Sequence, residues 1–199
     1  MKKLFILLLV ACALVLVSCG ENEASQAEIN NAEEKQLIPS DISENMAQQL
    51  LNGEIKVDNY GDKNNLTVAE IGYFGTPLKY TLVDLDEDGA RELVVVFAPS
   101  EDRIIIDVSE GTSTAYYLPI RWYSDIKKDG TAGWSASAFE HGIRKIKLSN
   151  GEVELEDIIV YNTNDGIFRV NGKDVTKEEC NIALSRQDEK EAVEWIDIE

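Results

Sequence analysis

The sequence predicts an α+β domain built mainly from an antiparallel β-sheet laid out as a meander, with one N-terminal helix and one or two C-terminal helices. Three observations carry this. From residue 78 onward, short runs rich in Val, Ile, Thr and Tyr alternate with turn residues. The links between those runs are too short for crossover connections, so consecutive strands must run antiparallel. Helical spacing of apolar residues is confined to the two ends, after Ser40 and after Thr176.

The elements follow in order. Ser40 or Asp41 is placed to cap a helix that carries Ile42, Met46, Leu50 and Leu51 on one face, and Asn52-Gly53 ends it. Residues 53–76 are mixed: 58–65 is turn-rich, and 68–74 reads equally as a strand or a helical turn. Strands are expected at 78–83, 91–98, 103–109 and 114–120, with turns at 99–102 and 110–113 between them. A second set follows at 134–140, 143–148 and 152–161, where Ser149-Asn150-Gly151 is a hairpin signal. A short strand at 166–170 and the turn Asn171-Gly172-Lys173 lead to Thr176 and Glu179, spaced for a capping box and a helix of about ten residues. The tail, 188–199, carries Ala192, Val193 and Trp195 and reads as a second helix or an edge segment. Residues 41–199 form one domain, long enough to bury a core.

What precedes the domain is of another kind. Met1-Lys2-Lys3 is followed by 14 unbroken apolar residues, 4–17, too few to span a bilayer and suited to the core of a secretory signal. Leu16-Val17-Ser18-Cys19 resembles the lipobox of bacterial lipoproteins. That resemblance implies cleavage after residue 18, lipid on the Cys19 thiol, and a membrane-anchored protein on the extracytoplasmic face. Two or three acyl chains hold stably where one does not, since each buried CH2 contributes about 0.8 kcal/mol. Residues 19–40 are polar, acidic and poor in aromatics, which is the composition of a disordered tether.

The chain has 19 basic and 37 acidic residues, a formal charge of −18. Losing residues 1–18 removes Lys2 and Lys3 and no acid, leaving 17 basic residues and a charge of −20. Nucleic acid and a flat seat on an anionic leaflet are both excluded by repulsion. The same field concentrates cations around any acidic loop. A monomer is expected.

The densest such loop is Asp84-Leu85-Asp86-Glu87-Asp88-Gly89-Ala90-Arg91-Glu92, set between the apolar runs 80–83 and 93–97. Calcium takes six to eight oxygens, and carboxylates at alternate positions of a tight turn converge on one point. Asp84, Asp86 and Asp88 occupy positions 1, 3 and 5, Gly89 permits the turn, the Ala90 carbonyl stands at position 7, and Glu92 at position 9. Position 12 of an EF-hand would be a glutamate, but here it is Val95 in the following strand run, so a helix-loop-helix site is excluded.

The DxDxDGxxEL pattern resembles the calcium loops of dockerin modules and of FG-GAP-type propeller blades, and its strand-loop-strand setting is closer to the latter. The resemblance implies Asp84, Asp86, Asp88 and Glu92 as side-chain ligands. It covers about 18 residues and occurs once, so a propeller is excluded. The alternative is an acidic hairpin turn without metal. Taken with Gly142-Ile143-Arg144, 147–152 and 170–179, the loop is also similar to uncharacterised lipoproteins of low-GC Gram-positive bacteria, a resemblance that brings architecture and address but no chemistry.

Catalytic motifs are scarce. His141 is the only histidine and reads as a solvent-exposed turn residue, which excludes a multi-imidazole zinc site. Once Cys19 carries lipid and Cys12 is discarded, Cys180 is the only thiol left, and its helical-period neighbours make it a small buried hydrophobe. Tyr116, Tyr117, Trp122, Tyr123, Trp134 and Phe139 can line the core or a groove for sugar or peptide. The expectation is a non-enzymatic surface binding or interaction module with one structural calcium. A glycan-directed hydrolase using a carboxylate pair such as Glu70 with Asp84, or a structural envelope component, are the alternatives.

Overall fold

A computed structural model describes residues 41–71, 75–149 and 152–198. The signal segment, Cys19, the tether and the Asn150-Gly151 hairpin tip lie outside the described residues.

Helix α1 (Glu44–Leu51) begins at Ser43, whose Oγ accepts the Met46 amide at 3.2 Å. Asp41 does not cap it, because its carboxylate is held by the Arg91 guanidinium at 2.8 Å and by the Arg91 amide at 3.0 Å. Ile42, Ala47 and Leu50 are buried, while Met46 and Leu51 pack partly buried beside them. The hairpin of β1 (Val57–Tyr60) and β2 (Lys63–Leu66) follows. Of the ambiguous stretch 68–74, residues 72–74 lie outside the described residues, and the described part is a single helical turn, α2 (Val68–Ile71). Thr67 and Glu70 set it: the Thr67 amide and hydroxyl donate to Glu70 Oε2 at 2.8 and 2.9 Å, and the Glu70 amide donates back to Thr67 Oγ1 at 3.2 Å.

The remaining strands are β3 (Gly75–Val83), β4 (Glu92–Pro99), β5 (Arg103–Ser109), β6 (Thr112–Leu118), β7 (Thr131–Ser135), β8 (Glu140–Ser149), β9 (Glu152–Asn162), β10 (Ile167–Val170), β11 (Lys173–Asp174) and β12 (Ile196–Asp197), with helix α3 (Lys177–Asp188) before the last. The expected α+β architecture, mostly antiparallel, is what forms. It divides into two sheets, of order β12-β3-β4-β5-β6-β1-β2 and β11-β10-β9-β8-β7. One pairing is parallel, β1 with β6 through Asn59 and Thr114. Thr176 and Glu179 form the full capping box at the start of α3. The tail is an edge strand: β12 pairs with Tyr80 and Lys79 of β3, and α3 is the one helix after the sheets among the described residues.

The first sheet has a core on each face, because its strands alternate apolar residues to both sides. One face meets α1 and α2 through Tyr80, Leu93, Val95, Phe97, Ile104 and Ile106. The other meets the second sheet through Val83, Val94, Ile105 and Leu118 against Ala132 and Ile146, with Leu85, Tyr123 and Ile126 filling the seam. His141 departs from expectation. Residues 136–139 make the turn, β8 therefore starts at Glu140, and His141 lies in the strand, half-buried, its ring 5.5 Å from that of Tyr161. Cys180 is buried in α3 at 1% exposure.

Candidate metal centre

The loop joining β3 to β4 must reverse a strand pair whose register runs from Gly75–Pro99 to Val83–Glu92. It does so with two residues at positive φ, Glu87 at 63° and Gly89 at 93°. The left-handed steps turn the chain so that alternate side chains face inward. Asp84, Asp86 and Asp88 each offer a carboxylate oxygen, and the three lie within 4.8 Å of one another, close enough to hold a metal ion.

Backbone amides fix each carboxylate. Asp84 Oδ2 accepts the Gly89 amide at 3.1 Å, and Asp88 Oδ1 accepts the Ala90 amide at 2.8 Å. Asp86 Oδ2 accepts the Leu148 amide of β8 at 3.2 Å. That amide is free to reach the loop because β7 pairs with β8 only as far as the Thr131–Lys145 pair, leaving the edge open beyond it. The second oxygens of the first two aspartates, Asp84 Oδ1 and Asp86 Oδ1, are buried without a hydrogen-bond partner. An unmatched buried carboxylate oxygen is costly, and a hard cation is the partner that matches it. The all-oxygen donor set and the two orphaned oxygens therefore fit a hard metal ion.

Glu92 is placed differently from the aspartates. It is outside the 4.8 Å group, 1% exposed, and its Oε2 accepts the Leu85 amide at 2.7 Å. As the first residue of β4 it points into the seam between the sheets, where burial, then the charges of Asp86, Asp88 and Asp107, push its carboxyl up to about 9. Ala90 is buried beside it, its amide committed to Asp88. Asp107 was not foreseen from the sequence. Leu93 pairs with Ile106, so the next positions along each strand, Glu92 and Asp107, are neighbours on one face. Burial and then Asp86 and Asp88 raise the Asp107 carboxyl to about 6. The signal for it was present: Asp107 is the one charge in an otherwise apolar run from Ile104 to Val108. Asp86 is raised as well, by burial first and then by Asp88 and Asp84.

Comparison with known protein families, with curated proteins and with solved structures finds no match. The chemistry of the site must therefore be read from its own geometry.

The loop is also the joint between the two sheets. Besides the Asp86 bond to β8, Glu87 pairs with Lys145 at 2.5 Å. Gly130 lies so close to the loop that a Cβ there would stand 1.9 Å from Leu85 O. Tyr123, fully buried, donates its hydroxyl to Gly130 O. Burial, followed by the charges of Glu92, Asp129 and Asp86, raises the Tyr123 hydroxyl far above its ordinary value. An ion at this point would act on the packing of one sheet against the other. Of the aromatics singled out from the sequence, Tyr116, Tyr123 and Trp134 are core residues, whereas Trp122 and Phe139 are exposed. Glu70 accepts from Thr67 and Asp84 from Gly89 of the loop.

Proposed function

We propose that this protein is a non-enzymatic binding module, anchored outside the cytoplasm by lipid on Cys19, whose two sheets are clamped together by one calcium ion. The observation that carries the reading is the pair of buried, unmatched oxygens, Asp84 Oδ1 and Asp86 Oδ1, inside a three-carboxylate cluster. Asp84, Asp86 and Asp88 are the side-chain ligands, with the Ala90 carbonyl as the main-chain one. Glu92, whose carboxyl is pushed up to about 9, holds its proton at neutral pH and adds no charge to the site, whereas Asp107, raised to about 6, ionises below neutrality and does. The role is stabilising because the ligands are tied to the backbone of the loop, by Gly89, and to that of the second sheet, by Leu148 in β8. The cleavable leader, the lipobox and the acidic tether support the extracytoplasmic address, and millimolar calcium outside a cell suits such a loop.

The test is a calcium titration of the full chain followed by thermal unfolding, with magnesium as the control. Extracellular calcium modules bind at about 10⁻⁴ to 10⁻³ M. At tenfold excess over the dissociation constant, the stabilisation is about 1.4 kcal/mol. Magnesium, smaller and slower to shed water, should give a much weaker shift. No shift with calcium, or an equal one with magnesium, would reduce the loop to an acidic turn.

A further inference from the structure

We propose that a groove on the second sheet binds a neutral oligosaccharide; this names a ligand class for the binding module proposed above and rests on that reading. The groove encloses about 560 Å³ and runs between β8, β9, α3 and residues 120–124. That volume lies within the range of about 300–1,000 Å³ typical of small-ligand sites.

Its chemistry has three parts. The floor is aromatic: His141 and Tyr161 sit opposite one another across β8 and β9, their rings inclined by only 27°. Beneath it, Trp134 packs on Gly142, where a Cβ would come within 2.6 Å of the indole Nε1, and the Arg144 guanidinium covers its ring at 4.3 Å. The floor is thus held from behind and does not need a ligand to order it.

The walls carry one charge of each sign. Arg121, whose Nη2 reaches Ser135 Oγ at 3.5 Å, and Asp188 at the end of α3 both line the groove. Among the described residues neither forms an ion pair. An uncharged ligand that both donates and accepts hydrogen bonds matches this pair, and a pyranose ring adds apolar CH faces that lie on aromatic rings. Anionic ligands are disfavoured by a chain of net charge −18.

Exposed rings close in sequence to the lining residues are the third part. Trp122 and Phe139 are 52% and 53% exposed, and they are the only exposed aromatic rings among the described residues. Trp122 directly follows Arg121, and Phe139 stands two residues before His141. An added peptide strand is the competing occupant, and the edge it would need is closed. Ser124 and Gly133 exchange both amide bonds there, at 2.8 and 2.6 Å.

The experiment titrates the full chain, solubilised in a detergent without a sugar head group, with maltotetraose, cellotetraose and chitotetraose. Tryptophan fluorescence and equilibrium dialysis report binding, and a capped neutral tetrapeptide is the comparison. Saturable binding of at least one oligosaccharide is expected, weakened about tenfold in Arg121→Ala through loss of a charged donor. Tyr161→Phe separates hydroxyl from ring, and Trp122→Ala, exposed and remote from the core, should weaken binding a few-fold at an unchanged melting temperature. Three outcomes overturn the groove: no saturable binding of any of the three sugars, an unchanged affinity in Arg121→Ala, or equal binding of the tetrapeptide. Each can occur with the calcium-induced stabilisation intact, so this failure is separable from failure of the metal reading.

Discussion

Two hairpin turns in this protein have nearly the same vocabulary and opposite outcomes. The β9–β10 turn, Asn162-Thr163-Asn164-Asp165-Gly166, closes on itself. Asn162 Oδ1 accepts the amides of Asn164 and Asp165 at 3.0 and 3.1 Å, and Asn164 Nδ2 donates to Asp165 Oδ1 at 3.1 Å. The β3–β4 loop likewise sets Asp directly before a positive-φ glycine, with carboxylates where the other turn has amides, and it leaves two carboxylate oxygens buried and unmatched. The first turn is exposed at the edge of a hairpin and the second is pressed into the seam between two sheets. Acidic residues around a glycine thus make a turn; burial of their second oxygens makes a candidate metal site.

The largest effect that can break this comparison is at the glycines. Gly130→Ala puts a Cβ against Leu85 O at a φ of 74° and should cost about 3 kcal/mol or more. Gly166→Ala, at a φ of 68° with nothing within 4 Å, should cost about 1 kcal/mol. Equal losses by thermal or chemical unfolding would mean that the loop is not seated on the second sheet as described.

The next effect, taken per pH unit, is that of pH. In chelator the folded chain keeps a proton on Glu92 up to about 9, whereas the unfolded chain releases it near 4.5. The folded state binds more protons at Glu92 between those values, so the stability this group contributes is fully present below 4.5 and is lost as pH rises towards 9. The slope is up to about 1.4 kcal/mol per pH unit. Asp107, raised from 3.8 to about 6, adds to the lower part of that window. Glu92→Gln keeps an acceptor for the Leu85 amide and should flatten the profile; an unaltered profile would place the titration elsewhere.

Smaller again is the response to removing one charge from the cluster. Asp86→Asn retains an oxygen for the Leu148 amide and relieves repulsion, so it should raise stability in chelator by a few tenths of a kcal/mol. In calcium it should forfeit most of the roughly 1.4 kcal/mol that the native chain gains. A variant that answers calcium as the native chain does would remove Asp86 from the ligand set. The smallest change is expected in the other turn: Asp165→Ala should stay within about 0.5 kcal/mol, identically with and without calcium.

The strands β3 to β6 and β8 to β10 and both long helices were legible because their signals are local, whereas β1 and β2 lie in a stretch that reads as turn-rich and the strand expected at 134–140 is instead β7 at Thr131–Ser135. Thr176 and Glu179 announced α3, and the apolar runs around the loop announced β3 and β4. Thr67 and Glu70 carry the same capping signal for α2, in a stretch where strand propensity competed with it. The three aspartates were legible too, since spacing alone brings alternate positions of a turn together. What could not be read was set by tertiary contact. Asp41 looks like a cap until Arg91 takes it, and Asp107 looks like a strand residue until the β4–β5 register sets it beside Glu92. The Leu148 amide becomes a partner only because β7 stops short of it.

The salt bridge between Asp41 and Arg91 has a mechanical meaning. The chain enters the described domain at Asp41, where two side-chain bonds of 2.8 Å and the Ile42 amide bond to Arg91 O fasten it to the loop. Arg91 lies between Ala90 and Glu92, on the loop's return into β4. Tension applied through the N-terminal segment is therefore delivered first to the strand end beside the three aspartates. A cation seated there would stiffen the point of attachment, so the pulling force that the domain withstands would rise and fall with the calcium around it.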